Sequence, residues 1–351
     1  MARVLNVALI GYGLAGRVFH APLIGCVDGL RLAAIVSRQA EAICKEHPGV
    51  AVLPAPEAAF ADPSIDLVVV AAPNDMHFDL AARALSHGKH VVVDKPFAAT
   101  AAEARELAKR AEQAGRILSV FHNRRWDADF LTVKRLIENG VLGEIVYFES
   151  HFDRFRPHVA DRWREKPGPA AGTWFDLGPH LADQALQLFG APRAVFADLA
   201  RQRDGAAVTD YFHVLLRYDT LRVVLQGSSL AAAADLRFVV HGTRGSFVKH
   251  GRDAQEAFLR SGGNPEDGQF GVDPRNGVLT RANGSVESVL SERGDYRCYY
   301  AAIREAIAKQ SPSPVTPAQG IAVMDILESA ELSASRRSEL PLSIDLAKTS
   351  I

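Results

Sequence analysis

The feature that most constrains the fold is a glycine-rich turn that follows an apolar strand at the start of the chain. The stretch VLNVALI begins at Val4 and runs directly into Gly11-Tyr12-Gly13-Leu14-Ala15-Gly16. In a GxGxxG pattern the first glycine permits a tight turn, the second lets the backbone approach a pyrophosphate, and the third lets the next helix pack close to the strand. The helix then offers unpaired N–H groups to the phosphates. These six residues are therefore predicted to bind a dinucleotide.

Strands and helices alternate over the first third of the chain. Apolar strands are predicted at residues 32–36, 66–71, 90–93 and 117–121, with helical segments between them. The helix before the last strand begins at a capping box, Thr100 with Glu103, and ends before Gly115. This alternation is typical of a doubly wound parallel sheet. We expect an α/β Rossmann domain over residues 1–122.

The pattern changes after residue 122. A helix is predicted over residues 127–139, followed by strands at 144–152, 211–218, 221–227 and 236–240 and by helices at 299–308 and 318–335. Turn signals at residues 242–245 and at Asn283-Gly284 separate extended segments without a helix between them, as in antiparallel hairpins. Residues 123–351 are expected to form an α+β domain for substrate binding and oligomerisation, with a mostly antiparallel, open-faced sheet. The segment 262–277, rich in Gly, Asn, Asp and Pro, is expected to be a mobile surface loop.

The composition excludes several classes of partner. The 351 residues include 40 Lys and Arg and 41 Asp and Glu, for a net charge of −1. No basic surface for nucleic acid or an anionic membrane is expected. The cysteines, Cys26, Cys44 and Cys298, lie far apart without a CxxC pair, which argues against a disulfide framework or a zinc site. No leader pattern or membrane-spanning apolar run is present, so we expect a cytoplasmic protein with a small-molecule ligand and no metal.

The end of the second strand indicates which nicotinamide cofactor is used. An NAD site usually has an acidic residue there for the ribose 2′-hydroxyl, whereas a basic residue accommodates a 2′-phosphate. Here the strand ends at Ser37 and Arg38, and the first carboxylate, Glu41, is already in the next helix. We therefore expect NADP(H) to be preferred over NAD(H). The alternative is that Arg38 is only a solvated residue at the start of a helix.

Two further predicted strands are followed by residues whose side chains could take part in binding or catalysis. Asp94-Lys95-Pro96 follows one buried strand, and Pro73-Asn74 with His77 follows another. Ligands bind beyond the carboxyl ends of strands in open parallel sheets, so these side chains are expected to face the cofactor crevice. Asn74 is predicted to contact the nicotinamide ribose, and His77 either joins it or only caps and packs.

A third group of candidate residues lies on a helix predicted to run from about Gly172 to Phe189. Asp176 and His180 are four residues apart and therefore share a face. A carboxylate one turn from an imidazole can orient it as a general acid or base. Asp183 is placed to reach the same histidine or a substrate hydroxyl. A surface ion pair is the alternative, but the glycine and proline in the first turns indicate a close approach to something.

With these motifs in order, the chain resembles the glucose-fructose oxidoreductase / inositol dehydrogenase / MocA family of two-domain dehydrogenases over essentially its whole length. The Glu-Lys-Pro motif of that family is represented by Asp94-Lys95-Pro96, its Pro-Asn-x-x-His by Pro73-Asn74 with His77, and its Asp-x-x-x-His by Asp176 with His180. The stretches GYGLAGRVFHAPLI, VFHNRRWDADF and ESHFDRFRP are most similar to the branch of NADP-dependent scyllo-inositol dehydrogenases.

The resemblance implies hydride transfer between nicotinamide and a secondary alcohol or ketone of a cyclic polyol or sugar. His180 would shuttle the hydroxyl proton, Asp176 would orient it, and Lys95 would polarise the same oxygen or share the proton. Which of Lys95 and His180 is the principal base stays open. The resemblance also suggests a cis Lys95-Pro96 peptide, and Asn123, at the end of the last Rossmann strand, is expected to line the cofactor and substrate crevice.

Further substrate contacts are expected in the second domain. Asp153, Arg154 and Arg156 either meet polyol hydroxyls or decorate a sheet face, and Trp163 and Trp174 either stack on a ring or pack between domains. Arg125 and Trp126 are equally compatible with packing at the domain junction.

Two other functions remain open, a reductase of another small cyclic substrate and a non-catalytic NADP(H)-binding regulatory protein. The apolar runs 223–225 and 238–240 suggest that the open sheet associates into a homodimer or a larger assembly.

Overall fold

The chain folds around two β-sheets, one parallel and one mixed, in a computed structural model that describes residues 3–161, 163–233 and 235–346. The strands of the first sheet are β1 (Leu5–Ile10), β2 (Leu30–Val36), β3 (Ala51–Leu53), β4 (Leu67–Val70), β5 (His90–Val93) and β6 (Leu118–Val120). The helices between them are α1 (Ala21–Gly25), α2 (Ala40–Glu46), α3 (Pro56–Ala61), α4 (His77–Ser86) and α5 (Ala101–Ala114).

All six strands are parallel, in the order β3-β2-β1-β4-β5-β6. The four residues of β4 are all buried because helices cover both faces of the sheet. The chain runs outward from β1 first toward β3 and then toward β6, so the switch point lies between β1 and β4. Ligands of open α/β sheets bind outside the carboxyl ends of the strands at this point.

Local sequence signals set the ends of several elements in the first sheet. The Thr100 side chain accepts a hydrogen bond of 3.1 Å from the backbone N–H of Glu103, and Gly115 adopts the left-handed conformation after α5. The Thr100 cap and the left-handed glycine are confirmed, but the Glu103 carboxylate accepts from the backbone N–H of Ala99 rather than of Thr100, so the capping box is only half formed. The segment after the glycine turn differs from expectation, since residues Gly16–His20 form a short π-helix before α1.

The second sheet has nine strands. The remaining elements are α6 (Ala128–Glu138), β7 (Ile145–His151), α7 (Gly172–Phe189), β8 (Ala194–Ala200), β9 (Tyr211–Arg217), β10 (Arg222–Ser228), β11 (Leu236–Gly242), β12 (Gly245–His250), α8 (Gln255–Arg260), β13 (Gly277–Arg281), β14 (Val286–Val289), α9 (Arg297–Lys309), α10 (Pro317–Arg336) and β15 (Leu340–Pro341). Their order is β14-β13-β12-β11-β7-β10-β9-β8-β15. All pairs are antiparallel except β7 with β10, and the two predicted hairpins join β11 to β12 and β13 to β14.

The two faces of this sheet differ in what covers them. Phe212, Val214 and Leu216 of β9 are fully buried on the face that packs against α7 and α10. The alternate residues point to the other face, where Leu215 lies opposite Phe196 of β8 and Val224 of β10. The side chain of Phe196 is 40% exposed. An apolar row therefore crosses three strands on the open face.

The last two helices connect the second sheet back to the first. Tyr299 of α9 donates a hydrogen bond of 2.9 Å to Ser119 of β6. In α10, the carbonyl oxygen of Leu327 accepts a hydrogen bond from the Trp174 indole, and Glu328 accepts one from the Ala101 backbone. These helices therefore fix the relative position of the two sheets. No helix in the described ranges combines the length and apolar character needed to cross a membrane.

The segment 262–277, predicted to be a mobile loop, is irregular but anchored. Phe270 and Asp273 are buried. The Lys249 ammonium donates 2.8 Å to Asp273 and 2.7 Å to the carbonyl oxygen of Arg275, and Arg293 donates to the carbonyl oxygen of Phe270. The prediction of mobility overlooked these buried contacts, which connect residues distant in sequence.

We propose that the open face pairs with a second copy of the chain through the apolar row of Phe196, Leu215 and Val224. Sedimentation velocity at micromolar concentration is expected to give a dimer or larger species. Leu215→Glu should shift it toward monomer, because the carboxylate would be buried without a partner. Leu332→Glu, at an exposed position on α10, is the control. A monomeric wild-type protein would contradict the proposal.

Candidate active site

A groove of about 490 Å³ lies at the carboxyl ends of β1, β2 and β4. The predicted cofactor residues that line it are Gly11, Gly13, Leu14, Ala15, Ser37, Arg38, Pro73, Asn74 and Asp94. Ligand pockets commonly have volumes of roughly 300–1,000 Å³. The groove therefore has the place and the size that a dinucleotide requires.

The three glycines of the turn differ in what surrounds them. A Cβ added at Gly11, where φ is +100°, would lie 2.4 Å from the carbonyl oxygen of Ala71, and one at Gly16 would lie 2.2 Å from that of Gly11. A Cβ added at Gly13 would have no atom of the described residues within 4 Å. The first and third glycines are thus required by packing, whereas the second leaves space beside the backbone. This arrangement fits a bound pyrophosphate.

The Tyr12 side chain does not line the groove. It is buried, its hydroxyl donates 2.7 Å to Glu46, and it contacts the imidazole of His47 at 2.8 Å. Tyr12 therefore anchors the glycine turn to the end of α2, and its predicted role in cofactor binding is limited to the backbone.

Ser37 and Arg38 lie at the carboxyl end of β2 on the rim of the groove. The Ser37 hydroxyl accepts a hydrogen bond of 3.1 Å from the Gln39 backbone. Arg38 is exposed, and no ion pair forms between it and any described residue. The groove therefore offers a cation, and no carboxylate, at this position.

Lys95 connects the two halves of the site. It follows β5, and its Nζ donates 2.7 Å to the carbonyl oxygen and 2.9 Å to the carboxylate of Asp176 on α7. Arg154 and Arg164 lie 3.3 Å and 3.6 Å from the same carboxylate. Although burial alone would favour the neutral acid, these three cations hold the pKa of Asp176 well below its usual range. Asp176 is therefore ionised and shared among cations.

The expected pairing of Asp176 with His180 is not what the structure shows. Among the described residues, the hydrogen bonds of the Asp176 carboxylate come from Lys95 and Arg154. A full cation is a stronger partner for a carboxylate than a neutral imidazole, and Lys95 reaches it from the other sheet. The prediction considered only the spacing within one helix.

His180 is buried beside this network. Its ring stacks on Phe152 with centroids 6.5 Å apart, and its Nδ1 has no hydrogen-bond partner among the described residues. Burial, together with the charges of Lys95 and Arg124, holds the pKa of His180 well below its usual range. The imidazole is therefore neutral at pH 7, and its buried Nδ1 is unpaired among the described residues.

Two predicted substrate residues have structural roles instead. Both carboxylate oxygens of Asp183 accept hydrogen bonds from Arg125, at 2.9 Å and 2.6 Å. Trp174 is fully buried, packs against Phe212 and donates its indole N–H to Leu327. Neither side chain is available to a substrate. The spacing pattern could not reveal the long-range partners of these side chains.

The glycine in α7 that suggested a close approach has a similar explanation. A Cβ at Gly178 would lie 2.4 Å from the indole of Trp174. The close approach is therefore to a core side chain one turn earlier in the same helix, and not to a ligand. For Trp163, the remaining predicted ring-stacking residue, the side chain lies outside the described part of the structure.

Asp153 and Arg154 point to opposite faces of the second sheet. Asp153 lies 3.1 Å from Nδ1 of His151, whose Nε2 is 2.8 Å from Glu149. Burial opposes protonation of His151, but the two carboxylates raise its pKa to about 9. Asp153 therefore belongs to a cluster on the open face, away from His180, and of the two roles left open for it the structure shows the place on a sheet face. Arg154 reaches Asp176 and so does lie at the site.

The candidate residues after β4 and β6 differ in whether they line the groove. Asn74 lines the groove and donates 3.0 Å to the carbonyl oxygen of Ala170. His77 is buried, with its two nitrogens 2.8 Å and 3.0 Å from the carbonyl oxygens of Pro96 and Ala72. Of the two roles left open for His77, the structure shows packing. Asn123 is buried and does not line the groove.

Asp94 anchors the strand end from which Lys95 projects. Its Oδ1 accepts 2.8 Å from the Lys95 backbone N–H, and its Oδ2 lies 4.0 Å from the imidazole of His20. Burial would raise its pKa, but His20 and Lys95 lower it to about 2. His20 was missed from sequence. It lies in the π-helix after the glycine turn, where no motif marks it.

Arginines surround the Phe152 ring, and of the three described ones nearest to it only Arg154 was predicted from the sequence. The guanidinium carbons of Arg124, Arg154 and Arg252 lie 4.8, 5.0 and 5.2 Å from the centre of the ring. Arg164, from another segment, lines the groove as well as meeting Asp176. These arginines come from separate segments, so no local spacing could have grouped them.

Comparison with known proteins places these features in one family. A model described as "Oxidoreductase family, NAD-binding Rossmann fold" matches residues 5–122. A second model, "Oxidoreductase family, C-terminal alpha/beta domain", matches residues 134–342. The models belong to the glucose-fructose oxidoreductase, inositol dehydrogenase and MocA group, and together they cover most of the chain.

Individual relatives match the chain from end to end. YdgJ, an uncharacterized oxidoreductase of Escherichia coli, is 52% identical over 97% of this chain and 100% of the relative. The scyllo-inositol 2-dehydrogenase (NADP(+)) IolW of Bacillus subtilis is 41% identical over 96% of each chain. A crystal structure from Klebsiella pneumoniae matches with a TM-score of 0.91 at 46% identity, covering 99% of this chain and 96% of that one.

The buried histidines predict how stability depends on pH. His122 has no partner among the described residues for either nitrogen, and burial lowers its pKa from 6.5 to about 4. Below pH 6.5 only the unfolded chain takes up this proton, so stability falls with the pH. His122→Leu should reduce the loss of unfolding free energy between pH 7 and pH 5 by about 2 kcal/mol, measured in urea.

A histidine whose pKa is shifted the other way serves as the control. Because the pKa of His151 is raised to about 9, its contribution to stability is present below pH 6.5 and is lost as the pH rises through 9. His151→Gln should therefore flatten the alkaline side of the profile and, between pH 7 and pH 5, change the loss of stability in the opposite direction to His122→Leu. An acid side that is identical in wild type and His122→Leu would contradict the assignment.

Proposed function

The chain belongs to the glucose-fructose oxidoreductase / inositol dehydrogenase / MocA family, and we propose that within it the protein is an NADP(H)-dependent oxidoreductase that interconverts a secondary alcohol and a ketone on a cyclic polyol or sugar. The observation that supports this proposal is the position of Lys95. It directly follows Asp94, which lines the cofactor groove, and its side chain is held by Asp176, one helical turn from the neutral His180. The name of the Bacillus subtilis relative supports the substrate class.

The site residues divide the chemistry between them. When bound, the nicotinamide would accept or supply the hydride. The Lys95 ammonium, fixed by two bonds to Asp176, donates a hydrogen bond to the substrate oxygen and stabilises negative charge as it develops there. The neutral imidazole of His180 accepts the hydroxyl proton in oxidation and returns it in reduction. Asp176 is a positioning residue, which sets the direction of the Lys95 side chain.

Removal of the Lys95 or the His180 side chain should slow the reaction without weakening cofactor binding. Lys95→Ala and His180→Ala are each expected to lower turnover by about 10²-fold or more, the scale of lost acid–base catalysis. NADPH consumption would be screened by fluorescence against inososes, ketoaldoses and anhydrofructose. NADPH affinity would be measured by fluorescence titration and should stay the same.

Surface variants provide matched controls. Lys134→Ala and His241→Ala change residues of the same types on α6 and on the open face of β11, and turnover should not change. Unchanged turnover in both site variants would contradict the proposed roles. If the wild-type protein bound NADPH but turned over no ketone in the screen, the regulatory alternative would replace the enzyme.

The preference for NADP(H) rests on the rim of the groove. Arg38 is exposed and unpaired among the described residues, and Ser37 beside it carries a hydroxyl. A guanidinium there can bind a 2′-phosphate through two parallel hydrogen bonds. NAD(H) has no charge at that position for Arg38 to meet.

Substitution of this arginine should change the cofactor preference. Arg38→Ala is expected to lower kcat/KM for NADP by about 10-fold or more, since one charged hydrogen-bonding group contributes roughly 1.5–3 kcal/mol. The value for NAD should change by less than about threefold. Arg110→Ala, which removes an exposed arginine from α5, is the control. Equal or better catalytic efficiency of the wild type with NAD would refute the preference.

A further inference from the structure

A group of arginines on the substrate side of His180 has too few carboxylates to neutralise it. The extended segment after β7 continues beside β10, with the backbone N–H groups of Arg154 and Arg156 donating to the carbonyl oxygens of Ser228 and Ser229. Alternation along an extended chain places residues 152, 154 and 156 on one face. Phe152 on that face stacks on His180, so the two arginines extend outward from the catalytic histidine.

Arg252 joins this group from another part of the chain. It follows β12, and its guanidinium carbon lies 5.2 Å from the centre of the Phe152 ring, close to the 5.0 Å of Arg154. Arg156 and Arg252 are both exposed, and the side chain of Arg154 is 19% exposed. We refer to Arg154, Arg156 and Arg252 as the arginine cluster. It opens to solvent and is accessible to a ligand.

The carboxylates nearby are already committed to other cations. Asp176 is shared between Lys95 and Arg154, and Glu256 is paired with Arg124 and Arg260. Neither Arg156 nor Arg252 forms an ion pair with a described residue. The cluster therefore carries a net positive charge in the structure as described.

The electrostatic surroundings of the cluster agree with this balance. Burial lowers the pKa of Arg154 to about 10, and the charges of Arg156 and Arg252 add to that effect against the opposing charge of Asp176. Burial and the charges of Arg124 and Arg237 lower the pKa of Arg252. The repulsion between these neighbouring guanidinium groups is relieved when an anion binds between them.

The cofactor does not account for this charge. The groove beside the glycine turn is lined by Arg38 and Arg164, and none of the three cluster arginines lines it. The cluster lies beside Phe152, whose ring stacks on His180, so a ligand that meets His180 would lie close to the cluster. A neutral polyol would leave these charges uncompensated.

We propose that the natural substrate carries an anionic oxygen group, a carboxylate or a phosphate, that binds the arginine cluster while its secondary hydroxyl or carbonyl meets Lys95 and His180. This inference rests on the proposed function, since it specifies the substrate class of the same site. Guanidinium groups pair with carboxylates and phosphates through parallel hydrogen bonds, which fixes the orientation as well as the affinity of the ligand. The distance between the anion and the reacting carbon would then select the substrate.

The first experiment compares matched neutral and acidic substrates. With NADP as oxidant, kcat/KM would be measured for glucose, glucuronate and glucose 6-phosphate, and for myo-inositol and its monophosphate. At least one acidic member is expected to exceed its neutral partner by about 10-fold or more. Glucuronate tests recognition of a carboxylate, and the two phosphate esters test recognition of a phosphate. A neutral member preferred in every set would overturn the inference, while the proposed function would stand.

Charge-removing variants locate the effect. Arg252→Gln and Arg156→Gln should each lower kcat/KM for the preferred acidic substrate by about 10- to 100-fold, mostly through KM, and change that of its neutral partner by less than about threefold. The control is Arg281→Gln, which removes an exposed arginine paired with Glu287 on the distal hairpin. Equal losses for the acidic and neutral substrates would show a structural role and would overturn the assignment.

A binding measurement decides the matter if no substrate is turned over. Calorimetric titration of the NADPH-loaded protein with glucuronate and with inorganic phosphate is expected to show saturable binding of at least one anion, weakened about 10-fold or more in Arg252→Gln. No binding of either anion, or equal binding in the variant, would overturn the inference. Absence of turnover together with cluster-dependent binding would refute the proposed reaction and retain the anion site.

Discussion

The ion pair between Lys95 and Asp176 is the contact on which the rest of the site depends. Lys95 projects from the end of a buried strand in the parallel sheet, and Asp176 lies in the first part of α7, which packs on the mixed sheet. The lysine also donates to the backbone of Asp176. One side chain therefore sets the distance between the cofactor groove and the helix that carries His180.

The surroundings of this pair explain why its geometry is fixed. On one side, Asp94 holds the backbone of Lys95, and His77 bridges the carbonyl oxygens that follow β4 and β5. On the other side, Gly178 lets Trp174 pack within α7 and the Trp174 indole bonds to α10. Lys95 and Asp176 are thus each positioned by contacts on their own side of the ion pair. Preorganised charge of this kind stabilises a developing oxyanion without rearrangement during the reaction.

Local patterns predicted the parts of this arrangement that depend on local physics. Sterics or hydrogen bonds within a few residues determine the glycine turn, the cap at Thr100, the hairpin turns and the strand that precedes Lys95. The sequence motifs selected Lys95, Asp176 and His180 as candidate site residues, and the structure brings them close together, but the motifs did not indicate the partners of Asp176. The role predicted for Asp183 was wrong, and Trp174 stayed open between ring stacking and packing, because their partners, Arg125 and α10, are distant in sequence. The arginines around Phe152 were not grouped for the same reason.

The charge around His180 links its protonation to the ligand. Burial, together with the charges of Lys95 and Arg124, disfavours the imidazolium and lowers the pKa of His180, so in the structure as described the histidine is neutral. An anion bound among Arg154, Arg156 and Arg252 would add negative charge near the ring and oppose the part of this shift that comes from nearby cations, while the part that comes from burial would stay. A neutral ligand would leave the pKa low. Residues that bind an acidic substrate would thus also favour proton uptake by His180, so substrate recognition and proton transfer at the proposed site would be coupled electrostatically.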